Sequence, residues 1–238
     1  MRNGLWFLIL IVMVSCKRQV LPLDQTIGKE YFPVNEGHFI EYEVDSTIYN
    51  TFTHDTQFVH LEFRDEIGAL FTDNQGRTSY VIQRSVRPDS TTAWQDELNY
   101  YVTVNNFTIE VVENNLRFIK LALPVETNRT WNGNVYIPVY TSGLDEFKWY
   151  NGWEYSYSHI SEDFNNGLVN YPNTATIAWG HLTNDSTSTS QYNDYTNYKE
   201  VYARTVGLVY RELTHWEFQP TEGFRNGFSV VFRAKKNN

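Results

Sequence analysis

Few side chains in this sequence carry reactive chemistry, and the single thiol stands apart from the rest. Cys16 is the only cysteine in 238 residues. A thiolate can act as a nucleophile, a metal ligand or a point of acylation, but a lone one closes no internal disulfide. The six histidines, His38, His54, His60, His159, His181 and His215, do not stand at metal-ligand spacing from one another. No Gly-x-Ser-x-Gly elbow, His-Glu-x-x-His pair or phosphate-binding glycine loop occurs. A glycosidase-like carboxylate pair is a matter of three-dimensional separation. No local motif marks one, so the acids are read as solvated. The expectation is a protein that is not an enzyme, with no catalytic residue, no metal ligand and no cofactor. The other notable side chains are aromatic. On strand alternation Trp149, Trp153, Tyr155 and Tyr157 share one face with His159. Such rings either fill a sheet core or face a ligand in a cavity.

The setting of Cys16 gives it a role. Arg2 supplies a positive start, and Leu5 to Val14 is an unbroken apolar run of ten residues. A helix of that length covers about 15 Å, half of a ~30 Å hydrocarbon core, which suits a signal-peptide h-region rather than a membrane span. The run ends in Met13-Val14-Ser15-Cys16. This resembles the bacterial lipobox, with Met13 in place of the usual leucine. The resemblance implies cleavage before Cys16, diacylglycerol on its thiol and a further acyl chain on the new amine. Two or three chains make a durable membrane anchor where one would be marginal. The organisation expected is a lipoprotein signal peptide over 1–16, a tether over 17–29 and a single domain over 30–238.

The composition points to an all-β domain. There are 17 Tyr, 15 Phe and 7 Trp, and aromatic and β-branched residues favour strands. The net charge of −9 argues against a nucleic-acid partner, which needs cationic contacts to phosphate. A strand opens at Phe39–Val44. Val59, Leu61 and Phe63 alternate with His60, Glu62 and Arg64 in a second, and Gly68 suggests a bulge near its end. Asn99 to Leu123 reads as a three-strand meander turning at Asn105-Asn106 and Asn114-Asn115, because Asn tolerates left-handed backbone angles. Val135–Tyr140 and Thr174–Trp179 read as short strands. Val201–Leu213 reads as two strands around a glycine-marked kink, and Phe228–Phe232 as the last. The fold class expected is a single antiparallel meander of roughly 10–12 strands, curled as a barrel or half-barrel so that few edges stay exposed.

Two motifs extend the picture. Tyr31-Phe32-Pro33-Val34, Gly37 and the aromatic strand after it, with Tyr202-Ala203-Arg204-Thr205-Val206-Gly207-Leu208-Val209 near the end, resemble a family of Bacteroidota cell-envelope lipoproteins. That resemblance brings no activity with it. Asp-Ser-Thr occurs at Asp45, Asp89 and Asp185, and resembles an O-glycosylation sequon of the same phylum. On that reading Ser46, Ser90 and Ser186 would be modified, whereas ordinary turn chemistry explains the same residues. The function expected is a non-enzymatic, lipid-anchored envelope protein that binds an apolar or amphiphilic ligand in a β concavity. The alternatives are a structural or interaction subunit of an envelope complex, and a glycan-binding or glycan-processing accessory protein. The partners expected are the membrane, through Cys16, and a small apolar ligand or an envelope protein. Lys17-Arg18 after the cysteine, with no acid before Asp24, favours the outer membrane with the domain facing the periplasm over the cell surface.

Overall fold

Alternating apolar and polar residues give twelve strands in the computed structural model, which describes residues 27–140, 145–183 and 189–238. They are β1 (Phe39–Asn50), β2 (Asp55–Thr72), β3 (Thr78–Arg87), β4 (Gln95–Val104), β5 (Thr108–Glu113), β6 (Leu116–Ala122), β7 (Thr130–Asn132), β8 (Glu154–Asn165), β9 (Asn170–Thr183), β10 (Asn193–Ala203), β11 (Gly207–Phe218) and β12 (Arg225–Asn237). Among the described residues the helical pieces are two 3-10 segments, Lys29–Tyr31 and Asp145–Tyr150. The expected signal peptide, Cys16 and most of the expected tether lie outside the described residues.

Each strand pairs antiparallel with its sequence neighbours except at one place. β1 also pairs with β12, from Ile40↔Asn237 to Tyr49↔Gly227, so the first and last strands meet in the middle of the sheet order. The two edges are β6 and β7, and they face each other across the one seam of a nearly closed barrel. The seam is stitched rather than laddered. The Ile119 N–H donates to Gly133 O (2.8 Å), the Trp131 indole donates to Ile119 O (2.9 Å), and the Tyr157 hydroxyl donates to Ala122 O (2.9 Å).

The strand register gives the barrel two distinct ends. Phe39, Val104, Ala203 and Gly207 lie at the near end. Asn50, Glu113, Asn193 and Phe218 lie at the far end. Residues 27–38 close the near end. Tyr31 is buried in the core, the Val125 N–H donates to Ile27 O, and the Thr205 N–H donates to Glu30 O. At the far end the Asp145–Tyr150 helix lies against the opening. Its Trp149 stacks on His215 at 4.4 Å and 14°. The main core between them includes Ile67, Val102, Ile109, Leu121, Ile177 and Tyr198.

Several local expectations hold. The register slips between Ile67 and Leu70, around Gly68. Asn114 and Asn115 both take left-handed angles, φ 52° and 62°, as a two-residue hairpin with the right twist requires. Three others are corrected. Val135–Tyr140 forms no strand. Asn132 Oδ1 accepts from the Asn134 N–H and starts a run of turns, and Pro138 offers no N–H to a ladder. The glycine-marked kink near Gly207 is a full hairpin turn between β10 and β11, with Thr205 at φ 63° and Gly207 at φ 106°. β9 runs on to Thr183, beyond the predicted end at Trp179.

Candidate functional site

The predicted aromatic face is only partly a strand. Tyr155 and Tyr157 belong to β8, Trp149 sits in the 3-10 helix, and Trp153 lies in the turn between them. His159 leaves the face, because the strand bulges after Ser158 and turns His159 outward at φ 49°. Trp153, Tyr155 and Tyr157 are buried and Trp149 is half-buried. Trp153 stacks on Trp179 (4.7 Å, 16°) and Tyr155 on Tyr198 (5.2 Å, 26°). Trp131 packs on Tyr157 at 4.6 Å. These rings form the inner wall beside the seam.

A cavity of about 290 Å³ opens at the far end against this wall. Trp153, Tyr155, Tyr150, Phe118 and Phe232 give it aromatic sides, and Lys120, Arg211 and Glu113 give it a charged floor. Arg211 separates it from a smaller cavity of about 50 Å³ towards the near end, which Asp65, Tyr100, Tyr42 and Tyr202 line. A third recess, about 330 Å³, lies on the other side of Trp149 between Trp179, His181, Asp194 and Thr196.

The floor is part of a chain of ionised groups that crosses the barrel interior. Arg84 donates to Asp65 through Nε (2.7 Å) and Nη2 (2.8 Å), and to Glu113 through Nη1 (2.8 Å). Arg211 stands 3.7 Å from Glu113 and donates from Nε to Glu200 (2.7 Å). Lys120 donates to Glu200 (3.0 Å) and to the Tyr198 hydroxyl (2.6 Å). The Tyr202 hydroxyl donates to Glu200 (2.7 Å) and that of Tyr100 to Asp65 (2.9 Å). Three cations thus meet three carboxylates, which is how buried charge becomes tolerable.

The titration behaviour follows from this pairing. Burial alone would raise the Glu200 carboxyl, but Lys120 and Arg211 outweigh it and hold it at about 2. Burial likewise opposes ionisation of Glu113, and Arg84 and Arg211 prevail, lowering it below the usual carboxylate range. Burial pulls Lys120 below the ordinary lysine range. Its partner Glu200 opposes that and the neighbouring Arg211 adds to it. Lys120 must share one carboxylate with Arg211, whereas Glu200 enjoys two cations.

The reading of the acids as solvated therefore fails for Glu200 and for Glu41, Glu62 and Glu110, all of which are buried. A signal for the interior chain was present in the pattern. Glu200 falls on the alternation of Tyr198 and Tyr202, and Arg211 falls between Val209 and Leu213. A charge on the apolar parity of a strand marks an inward-facing ion.

The three Asp-Ser-Thr sites differ in setting. Ser46 lies inside β1, paired with Val59 and Val230, on the face of the buried Val44. Ser90 is exposed in the turn after β3, where the Asp89 carboxylate accepts from the Thr91 N–H (2.8 Å) and hydroxyl (2.6 Å). Ser186, like Cys16, lies outside the described residues. Among the described residues no group of three His, Cys, Asp or Glu side chains could hold a metal ion.

No protein-family model matches the chain, and no curated protein matches it. Three solved structures are similar in part. One, from Bacteroides fragilis NCTC 9343, is assigned as an exported protein with a YmcC-like fold. It aligns with TM-score 0.43 and 8% identity over 87% of this chain and 98% of its own. Another, from Parabacteroides distasonis ATCC 8503, is assigned as a lipoprotein, with TM-score 0.44 and 9% identity over 87% and 98%. LprF from Mycobacterium bovis aligns with TM-score 0.23 and 12% identity over 84% and 85%.

Proposed function

We propose that this chain is a non-enzymatic lipoprotein of the cell envelope, anchored through Cys16, that binds a small apolar or amphiphilic ligand in the far-end cavity. The observation that carries this reading is the cavity itself. A space of about 290 Å³ sits close to the lower limit of known ligand pockets. It has aromatic sides and a polar floor, the arrangement that suits a molecule with an apolar body and a polar end. The floor carboxylates Glu113 and Glu200 are held ionised by cations, so neither is a proton donor at neutral pH. The leader ending at Cys16 and the basic residues after it support an outer-membrane position facing the periplasm.

Native mass spectrometry of the protein extracted from its host's membranes tests the reading. The expected spectrum shows an acylated chain retaining a small amphiphile. A chain that carries no small molecule and holds a stable protein partner instead would overturn ligand binding in favour of an interaction subunit. Replacing Cys16 with Ala should abolish processing and acylation, so a C16A protein that still fractionates as a processed membrane protein would overturn the anchor. Protease shaving of intact cells should leave the domain uncut.

A further inference from the structure

We infer that the far-end cavity selects an amphiphile with an anionic head, seated on Lys120 and Arg211 with its apolar part between Phe118, Trp153 and Phe232. This rests on the ligand-binding reading above and names the chemistry of the ligand.

The argument is a count of donors and acceptors. A lysine ammonium has three N–H donors. Lys120 spends one on the Tyr198 hydroxyl and one on Glu200. Its side chain is only 6% exposed and lines the cavity, so the third donor has the cavity as its outlet. Arg211 has five donors. Among the described residues its side chain makes one hydrogen bond, from Nε to Glu200. Its Nη1 is 3.7 Å from Glu113, beyond hydrogen-bond length. Arg211 is likewise at the cavity wall.

Among the acceptors, Glu200 is the better served. Glu200 receives bonds from Lys120, Arg211 and Tyr202, and Glu113 receives one from Arg84. The floor therefore offers several spare N–H groups on two cations against one carboxylate oxygen, Glu113 Oε2, that accepts no hydrogen bond among the described residues. Buried donors take acceptors, and a donor on a cation bonds most strongly to an anionic oxygen. The walls above the floor have the opposite character. The Phe118 ring lies 5.0 Å from Lys120 Nζ, and Trp153 and Phe232 line the same space. A cationic head would meet two like charges, with Glu113 the one carboxylate of the lining to offset them. A neutral head would satisfy the donors without the charge.

Isothermal titration calorimetry on the full chain in amphipol, with an amphipol blank, tests the assignment with four probes. Octanoate should bind at least about ten-fold more tightly than octan-1-ol, the difference expected for a hydrogen bond to a charged group. Octylamine should give no heat of binding, and acetate, which has the head without the tail, should not compete with octanoate. Equal affinity for octanoate and octanol would overturn the anionic-head assignment and leave the cavity reading standing. So would tighter binding of octylamine. Competition by acetate would reduce the site to a simple anion site. Absence of heat for octanoate, octanol and octylamine would overturn both. Lys120→Met, checked for folding by its thermal transition, should erase the advantage of octanoate over octanol.

Discussion

Lys120 Nζ lies 3.0 Å from Glu200 Oε1, and the two residues stand on strands that the sheet order places on either side of the open seam. Lys120 belongs to the edge strand β6, and Glu200 to β10, which reaches the other edge through β9, β8 and β7. The pair therefore spans the lumen. It ties the unladdered edge to the opposite wall where backbone hydrogen bonding is sparse.

Removing one member of this network should be costly, and the cost should depend on which member is removed. Glu200→Gln strands both Lys120 and Arg211, and should lower unfolding stability by about 3–5 kcal/mol. Lys120→Met leaves Glu200 with Arg211 and Tyr202, and should cost less, about 1–3 kcal/mol. Urea unfolding midpoints measure both. Equal effects, or a neutral E200Q, would mean that the pair does not brace the barrel.

Gly133 is a steric requirement of the seam. A Cβ built there would stand 1.6 Å from Tyr155 Cε2. Gly133→Ala must therefore displace a buried ring and should destabilise by about 1–3 kcal/mol. Because Gly133 O accepts from the Ile119 N–H, the Ile119 amide should exchange faster in G133A. Unchanged exchange at Ile119 would show that the seam bond is not coupled to this packing.

Trp131→Phe keeps an aromatic ring and removes the indole donor to Ile119 O. A single hydrogen bond is worth about 0.5–1.5 kcal/mol net, so the global loss should be small. Amide protection should fall along β6 and stay constant in the β1–β12 pair. A uniform loss across the sheet would contradict a local stitch.

Acid should weaken the fold in two stages. Burial lowers the His215 imidazole below the usual 6.5, against a smaller opposing pull from Asp194. Below pH 6.5 the unfolded chain then binds the proton more readily, so stability falls as pH drops from about 6.5 through the folded value. Glu200, held at about 2 against an ordinary 4.5, contributes stability that is present above about 4.5 and lost as pH falls towards 2. Urea midpoints at pH 7.5, 5.5, 4 and 3 should decline throughout, and His215→Gln should flatten the first part. A midpoint independent of pH between 7 and 3 would contradict both.

The sheet was legible because its determinants are local. Alternation set Phe39–Val44 and the face of Val59, Leu61 and Phe63, and Asn114-Asn115 set a tight turn, whereas the Asn105-Asn106 connection forms without left-handed asparagines. What was not legible depended on distance. Nothing near Lys120 in sequence signals Glu200, whose strand arrives late in the chain and whose carboxylate completes the pair. Trp149 and Trp153 have the spacing of a strand face, yet a 3-10 helix carries one and a turn the other. Packing against His215 and Trp179 outweighs local preference there. The cavity likewise exists only once β6 and β12 stand opposite each other.

Closure of the near end by residues 27–38 gives the molecule a polarity. β1 alone, with 12 residues, is about 40 Å long. The stretch from Cys16 to Ile27 reaches at most about 40 Å when fully extended. Under the anchor proposed at Cys16, the domain would hang by its near end, and its far-end mouth would reach the same bilayer only with residues 16–27 fully extended and the barrel inverted. On the proposed ligand-binding reading, a ligand would then enter the far-end mouth from the aqueous side rather than straight from the leaflet that holds the anchor.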